Sequence, residues 1–194
     1  MNKSAVTREL IQDVMNNFSL PHTSAHGPAH WARVRYNGLL LSQYSGADPV
    51  VVELFAFIHD SQRHNDGHDP QHGPRAAEYA LRKNGVLFNL SAEQLDALVE
   101  ACRGHTNERL NDCSTVQTCW DSDRLDLGRV GIMPDPYYLG TAAAKRHEIL
   151  ELAYARSIGK RSRVLRETVS REMVDLLRYL PDNDDNFQRD RLSD

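Results

Sequence analysis

The feature that most constrains the fold is a run of apolar residues that ends in two hydrophilic ones. Residues 50–58 are almost entirely apolar, and His59 and Asp60 follow directly. Such a run suits a buried strand as well as a buried helix. We interpret it as a helix because Asp48 and Pro49 form a typical helix start and because the neighbouring segments are helical in pattern. An imidazole and a carboxylate are costly to bury at its end unless they are paired, hydrogen-bonded or bound to a metal.

The rest of the sequence has the pattern of an all-α protein. Apolar residues recur at helical spacing, and proline, glycine and capping residues mark the ends of the segments. We therefore expect a single domain over residues 1–180 and a polar, disordered tail over 181–194. The helices are expected at residues 4–18, 28–44, 49–58, 74–83, 92–103, 114–127, 141–157 and 162–180, with a loop at 61–73.

Composition excludes several classes of function. The chain has 194 residues and a formal net charge of −4, which does not favour nucleic acid or an anionic membrane surface as partners. No apolar run approaches the roughly 20 residues that span a bilayer, and residues 1–10 lack the apolar segment of a signal peptide. Three cysteines without CxxC spacing argue against a disulfide framework. We expect a soluble cytoplasmic protein, and the oligomeric state stays open.

Two histidines interrupt predicted apolar helix faces. His30 shares a face with Val34 and Leu41, although a lone histidine on such a face is more often a satisfied core residue than a ligand. His105 lies on the buried stripe of the helix at 92–103, where the helix dipole would also favour a histidine at the C-terminus.

Asp123 is the stronger candidate for a functional residue. Apolar residues flank it at helical spacing, so its carboxylate lies within a buried stripe and needs a cation. We assign Asp123 to a metal site or an ion pair. Asp121 and Asp126 point elsewhere on an ideal helix, and we expect them to be solvated or paired with Arg124 or Arg129.

Three further histidines, His64, His68 and His72, follow the His-Asp pair at four-residue intervals. A glycine and a proline within this segment argue against a continuous helix, so at most one or two of them contribute to a site. His72 is favoured because a helix begins just behind it. For the other two, a solvated polar loop is the alternative.

The order of these residues resembles that of the HD-domain superfamily of metal-dependent phosphohydrolases. A helix histidine, His30 in the segment 26–34, precedes the doublet His59 and Asp60, and the distant Asp123 comes last. The resemblance covers most of the chain, from about residue 26 to 130, and this order is far more specific than an isolated His-Asp dipeptide. It implies a helical bundle with a metal site between its central helices.

The resemblance extends to superfamily members with six metal ligands. It implies one or two divalent ions, with Asp60 bridging them, held by His30, His59, Asp60, His72, His105 and Asp123. The loop between Asp60 and His72 is shorter than in other six-ligand members, so His68 could replace His72, or the second ion could be weakly bound or absent. Imidazole and carboxylate ligands suit Mn, Fe, Co, Ni or Zn without discriminating among them.

The activity that the resemblance implies is hydrolysis of a phosphoester by a metal-activated water. The expected substrate is a small metabolite, with a nucleotide as the first candidate. Asp60 and Arg63 are the expected catalytic residues, with Arg63 also contacting phosphate. Further candidates for substrate contact, for which a surface position or a surface ion pair is the alternative, are Arg75, His68, Lys145 and Arg146. Two other functions stay open: a di-iron oxygenase of the same superfamily acting on a small polyol or phosphonate, and a non-catalytic metal- or nucleotide-binding module.

Overall fold

A computed structural model of the chain describes residues 4–159, and this part is all-helical without a β-strand. Seven α-helices and two short 3-10 helices occur in it. In chain order they are α1 (Arg8–Asn17), α2 (Pro28–Ser45), α3 (Pro49–Ile58), α4 (His72–Lys83), α5 (Ala92–Gly104), α6 (Ser114–Arg124), the 3-10 helices Leu127–Val130 and Pro136–Tyr138, and α7 (His147–Ser157). The prediction of an all-α fold is confirmed for these residues.

Local sequence signals account for the starts of the main helices. The Asp48 side chain accepts a hydrogen bond from the Val50 N–H at 2.8 Å, and Pro49 is the first residue of α3. Ser91 and Gln94 form a reciprocal capping box at the start of α5. Caps of this kind stabilise a helix by about 1 kcal/mol each because they satisfy N–H groups that the helix leaves free.

Helix α3 is the centre of the bundle. Every residue from 51 to 58 is buried, and the helix packs against α1, α2, α4, α5 and α6. This position explains the uniform apolarity, since a helix that is surrounded on all sides buries every face. Glu53 is the exception, and Arg35 donates to its carboxylate at 2.6 Å. Gly38 allows α2 to lie close to α3, because a Cβ there would overlap the Val52 side chain.

The structure differs from the predicted boundaries by two residues or more in four places. Helix α1 begins four residues after the predicted start. Helix α4 begins at His72, two residues before the predicted start. Helix α6 ends at Arg124 and is followed by a turn and a 3-10 helix. Helix α7 begins at His147 instead of residue 141, because the N–H and hydroxyl of Thr141 donate to the buried Asp121 and hold the segment in a turn.

Two other expectations concern the ends and the surroundings of the chain. The helix expected at 162–180 and the polar tail at 181–194 lie outside the described residues. Within residues 4–159, no helix is long and apolar enough to cross a membrane.

Candidate metal centre

Five helices bring the predicted ligands together at one end of the bundle. His30 lies in α2, His59 and Asp60 follow the last turn of α3, His72 is the first residue of α4, His105 follows α5, and Asp123 lies in the last turn of α6. Two groups of three within this set have ligand atoms close enough to hold a metal ion: His30, His59 and Asp60, and Asp60, His72 and His105.

Gly73 allows the start of α4 to lie close to the end of α5. A Cβ at this position would lie 2.5 Å from the carbonyl oxygen of Cys102 and 3.2 Å from that of Arg103. Only glycine therefore lets the start of α4 contact the end of α5 so closely. The consequence is that the imidazoles of His72 and His105 meet, with their Nε2 atoms 2.9 Å apart.

The two carboxylate oxygens of Asp60 face two different pairs of imidazoles. Oδ2 lies 3.6 Å from Nε2 of His30 and 3.7 Å from Nε2 of His59. Oδ1 lies 3.3 Å from Nε2 of His72 and 3.7 Å from Nε2 of His105. A carboxylate placed in this way can contribute one oxygen to each of two neighbouring ions.

Asp123 adds a second carboxylate on the side of the first imidazole pair. Its Oδ1 lies 3.3 Å from Nε2 of His30 and 3.9 Å from Nε2 of His59. Oδ1 of Asp123 and Oδ1 of Asp60 are both buried, and neither accepts a hydrogen bond from any residue between 4 and 159. Buried carboxylate oxygens without donors are costly, so both atoms fit metal ligation.

All four imidazoles of the centre are oriented by a hydrogen bond that Nδ1–H donates. Each Nδ1–H donates to an acceptor outside the centre, and the pairs are His30 with Asp126 (2.7 Å), His59 with the Phe55 carbonyl (3.0 Å), His72 with the Asp69 carbonyl, and His105 with the Cys102 carbonyl (2.8 Å). Carbonyl and ionised carboxylate oxygens only accept, so Nδ1 carries the proton and Nε2 of the neutral ring presents its lone pair inward.

Metal-binding histidines usually donate their other ring N–H to a carboxylate, carbonyl or water in this way, which leaves one nitrogen free to bind the ion. The inward Nε2 atoms of His30 and His59 are 3.1 Å apart, as close as those of the other pair. Two neutral rings that both carry their proton on Nδ1 cannot hydrogen-bond to each other through Nε2. The lone pairs of His30 and His59 therefore need a proton or a cation, and the donor set fits a divalent transition-metal ion. In the other pair, Nε2 of His72 also faces Nη1 of Arg63 at 3.3 Å and the Thr106 hydroxyl at 3.2 Å.

Burial and neighbouring charges determine the protonation of His59, Asp60 and Asp123. Burial lowers the pKa of His59 to about 3, against the opposing charges of Asp60 and Asp123, so this ring is neutral at physiological pH. For Asp60, burial would raise the pKa, but the imidazoles of His59, His105 and His26 outweigh it and lower the pKa well below its usual value. In the same way, His30 and Arg129 outweigh burial and lower the pKa of Asp123.

In the second imidazole pair, the pKa values of His72 and His105 are shifted in opposite directions. Burial lowers the pKa of His72, with a further contribution from the neighbouring His105. Burial also acts to lower the pKa of His105, but the carboxylate of Asp60 outweighs it and raises the pKa. The directions differ because burial is the larger effect at His72, whereas the hydrogen bond and the charge of Asp60 together are the larger effect at His105.

Asp126 contacts one of the candidate ligands, a role that the sequence did not indicate. It is buried, and besides the Nδ1–H of His30 it accepts two hydrogen bonds from Arg33, at 2.6 and 3.0 Å. Of the two expectations for Asp126, solvation is wrong, whereas pairing with Arg129 is present as an ion pair with Nη1 3.9 Å from Oδ2. Helical spacing could not indicate the position of the Asp126 side chain, because α6 ends before this residue.

Asp121 is likewise buried and not solvated. It accepts hydrogen bonds from the backbone of Gly140 and Thr141 and from the Gln117 side chain. Neither Arg124 nor Arg129 is its partner; Arg124 donates instead to backbone carbonyls, among them that of Tyr138 at 2.8 Å. Asp121 therefore has a structural role.

His26 is a second residue that was missed. It lies in the loop before α2, and its Nδ1 contacts Oδ2 of Asp60 at 2.7 Å. Its side chain is 12% exposed and lines the cleft that leads to the centre. Only its position four residues before His30 could have suggested a role.

The residues predicted to contact substrate divide into one at the centre and four away from it. Arg63 lines the cleft with Nη1 3.5 Å from Oδ1 of Asp60. Arg75 does not line the cleft formed by residues 4–159, because its guanidinium donates to the Gln62 carbonyl and to Asp69. The remaining three are exposed and also lie outside its lining, so the structure does not support their role: His68, Lys145 and Arg146.

The cleft above the centre has a volume of about 410 Å³. Its charged lining consists of three carboxylates and four guanidiniums, contributed by Asp60, Glu108, Asp123, Arg63, Arg109, Arg124 and Arg129. With neutral imidazoles the lining carries a surplus of positive charge even before a metal ion is added. Such a cleft favours an anionic ligand.

Comparisons of this chain with protein-family models, with curated proteins and with solved structures gave no match.

Proposed function

We propose that this protein is a metal-dependent phosphohydrolase of the HD-domain type that hydrolyses a phosphoester of a small metabolite. A nucleotide is the first candidate for this substrate. The observation that carries the proposal is the position of Asp60, whose two oxygens each face a pair of inward-pointing imidazoles. This position supports two neighbouring ions that share one carboxylate.

The residues that would hold the ions follow from the geometry. His30, His59 and Asp123 lie with Oδ2 of Asp60, while His72 and His105 lie with its Oδ1. Divalent ions at such positions lower the pKa of water toward neutrality and stabilise the charge of a phosphoryl group.

The protein itself contributes orientation and charge. Phosphoryl transfer depends mainly on positioning and on stabilising negative charge, with little covalent chemistry from side chains. Arg63 is suited to this task, since the Asn65 and Gly67 carbonyls accept from its guanidinium and hold it beside Asp60. In this proposal it binds an oxygen of the substrate's phosphoryl group.

The dimensions of the cleft support a small substrate. Its volume falls in the range of roughly 300–1,000 Å³ that is usual for small-molecule sites. Leu127 and Tyr138 add apolar surface to the lining, against which the non-phosphate part of a metabolite could pack.

Metal analysis and a phosphatase screen test the proposal. Purified protein is analysed for bound transition metals and then assayed for phosphate release from nucleoside phosphates and generic aryl phosphates, with each metal added in turn. Asp60→Ala should lose phosphate release, whereas Asp96→Ala, which changes an exposed aspartate in α5, should retain it. Equal activity in both variants would refute the site.

The same preparation separates the two alternatives. Bound iron together with substrate-dependent oxygen uptake, and no phosphate release, would replace the hydrolase with an oxygenase. Stabilisation by nucleotides without turnover of any substrate would instead indicate a binding module.

A further inference from the structure

Arg129 has a buried N–H group for which the described part of the chain offers no acceptor. Its side chain is only 8% exposed and lines the cleft. Nε donates to the Ala25 carbonyl at 3.0 Å, which fixes the guanidinium, and Nη2 lies 3.6 Å from Oδ1 of Asp123. Nη1 is buried and has no hydrogen-bond partner among residues 4–159.

The nearest carboxylate cannot satisfy this group. Oδ2 of Asp126 is 3.9 Å from Nη1, beyond hydrogen-bond distance, and it already accepts from His30 and Arg33. The guanidinium of Arg129 therefore has two carboxylates at ion-pair distance but no hydrogen bond to either. A guanidinium with N–H groups left over is suited to bind a ligand that supplies oxygens.

The other arginines of the cleft differ from Arg129. Arg63 and Arg124 donate to backbone carbonyls, and Arg109 is exposed and donates to the Tyr137 carbonyl. Within residues 4–159, Arg129 is the cleft arginine with a buried N–H group left over.

Charge balance favours an anion at the same place. Three carboxylates and three guanidiniums lie at ion-pair distance from one another in and around the centre, namely Asp60, Asp123, Asp126, Arg33, Arg63 and Arg129. With neutral imidazoles these charges cancel, and every divalent ion then adds two uncompensated positive charges. A loaded centre therefore attracts an oxyanion, and a guanidinium presents its donors in a planar fork that matches phosphate oxygens.

We propose that Arg129 is an oxyanion-binding residue of the cleft, whose guanidinium donates to a phosphate oxygen of the ligand on the Asp123 side of the centre, where Nη2 lies. Arg63 lies on the opposite side, near Oδ1 of Asp60. The inference deepens the proposed function and rests on it for the identity of the anion as phosphate.

A purely structural role for Arg129 makes a different prediction. If Arg129 only neutralises Asp123, its removal affects metal ions and folding but not the binding of anions. If it binds an oxyanion, Arg129→Met loses phosphate affinity, while the metal affinity is unchanged or higher because a positive charge next to a ligand is gone. The two affinities thus separate the two roles.

Calorimetric titration measures both affinities, first with the metal alone and then with inorganic phosphate added to metal-loaded protein. Arg129→Met should weaken phosphate binding by about 10- to 100-fold. Arg129→Lys should lose less, because it keeps the charge without the planar fork. Arg109→Ala, which removes an exposed arginine at the cleft rim, should lose less than Arg129→Met, and thermal unfolding shows whether each variant is folded.

The outcomes distinguish this inference from the proposed function. Unchanged phosphate affinity in folded Arg129→Met and Arg129→Lys would overturn the role of Arg129, even if the wild-type protein hydrolyses phosphoesters. Loss of phosphate affinity without any wild-type hydrolysis would support the role of Arg129 and count against the hydrolase. Wild-type protein that binds metal but not phosphate would overturn the inference directly.

Discussion

The Nδ1–H of His30 donates across 2.7 Å to the buried carboxylate of Asp126, a residue 96 positions later in the chain. The bond fixes the tautomer of His30 and leaves its Nε2 free beside Asp60 and Asp123. For Asp126 itself, burial would raise the pKa, but His30 and Arg33 outweigh it and lower the pKa, so the acceptor stays ionised. Asp126 therefore orients a candidate metal ligand without belonging to the candidate set itself.

Replacement of Asp126 should weaken metal binding. Asp126→Asn keeps the shape of the side chain but removes the charge that holds the His30 proton, and losses of roughly 10- to 100-fold in metal affinity are usual for such partners. Metal titration by calorimetry gives the affinity. Asp121→Asn is the matched control, since it changes a buried aspartate of the same region that contacts the 140–141 backbone instead of a ligand. Equal losses of metal affinity in both variants would contradict the positioning role of Asp126.

The two sides of Asp60 should be separable by mutation. His72→Gln removes a ligand near Oδ1 and should reduce the metal content from two ions per chain to one, whereas Asp60→Asn should weaken both positions. Elemental analysis after equilibrium dialysis measures the content. A wild-type protein that holds one ion, unchanged in His72→Gln, would show that only the side of His30, His59 and Asp123 is used.

Metal should also stabilise the folded protein. A ligand that binds only the native state raises its stability by RT ln(1 + [L]/Kd), or about 2.7 kcal/mol at a hundredfold excess over Kd. The expected result is a higher midpoint of thermal unfolding after metal is added to chelator-treated protein, with a smaller increase in His59→Gln. Identical midpoints with and without metal in the wild-type protein would argue against a metal centre.

Gly73→Ala should destabilise the protein and disturb the centre together. The new Cβ would lie 2.5 Å from the Cys102 carbonyl, so α4 must move away from α5. Overpacking of this kind costs about 1–3 kcal/mol. Urea unfolding measures the cost, and Gly67→Ala serves as control, because its Cβ would meet nothing closer than 3.4 Å. A change below about 0.5 kcal/mol in Gly73→Ala would show that the two helices adjust freely.

Tyr79 should make the stability depend on pH in the alkaline range. Burial and the hydrogen bond that its hydroxyl donates to Asp13 raise the pKa of Tyr79 far above its usual value. Above about pH 10 the unfolded state loses this proton and the native state keeps it. The free energy of unfolding therefore falls as the pH rises, by up to about 1.4 kcal/mol per pH unit, and Tyr79 contributes no slope at lower pH.

Tyr79→Phe removes this contribution. Urea unfolding between about pH 8 and pH 11 should give a shallower decline in the variant than in the wild-type protein. Both proteins share every other titratable group, so the difference in slope reports Tyr79. Identical slopes would contradict the assignment.

Local signals in the sequence were sufficient to place the seven described helices approximately and to indicate the six candidate ligands that meet at the centre. The capping residues Asp48 and Ser91 act through bonds to neighbours two and three positions away, so their effect is visible in a short segment. His30 and Asp123 were recognisable as inward-facing because helical spacing determines which side a residue shares with apolar neighbours. His72 was favoured over His68 for a local reason too, namely the helix start behind it.

Tertiary structure alone decided what lies opposite each of these residues. Helical phase gives a direction but not a partner, so it could not show that Asp126 holds His30, that Asp121 binds the 140–141 turn, or that Arg75 donates to Asp69 away from the cleft. The division of Asp60 between two imidazole pairs likewise depends on how closely α4 approaches α5 at Gly73. The sequence thus determined which side chains are costly to bury, and the packing of distant helices decided which groups compensate for that cost.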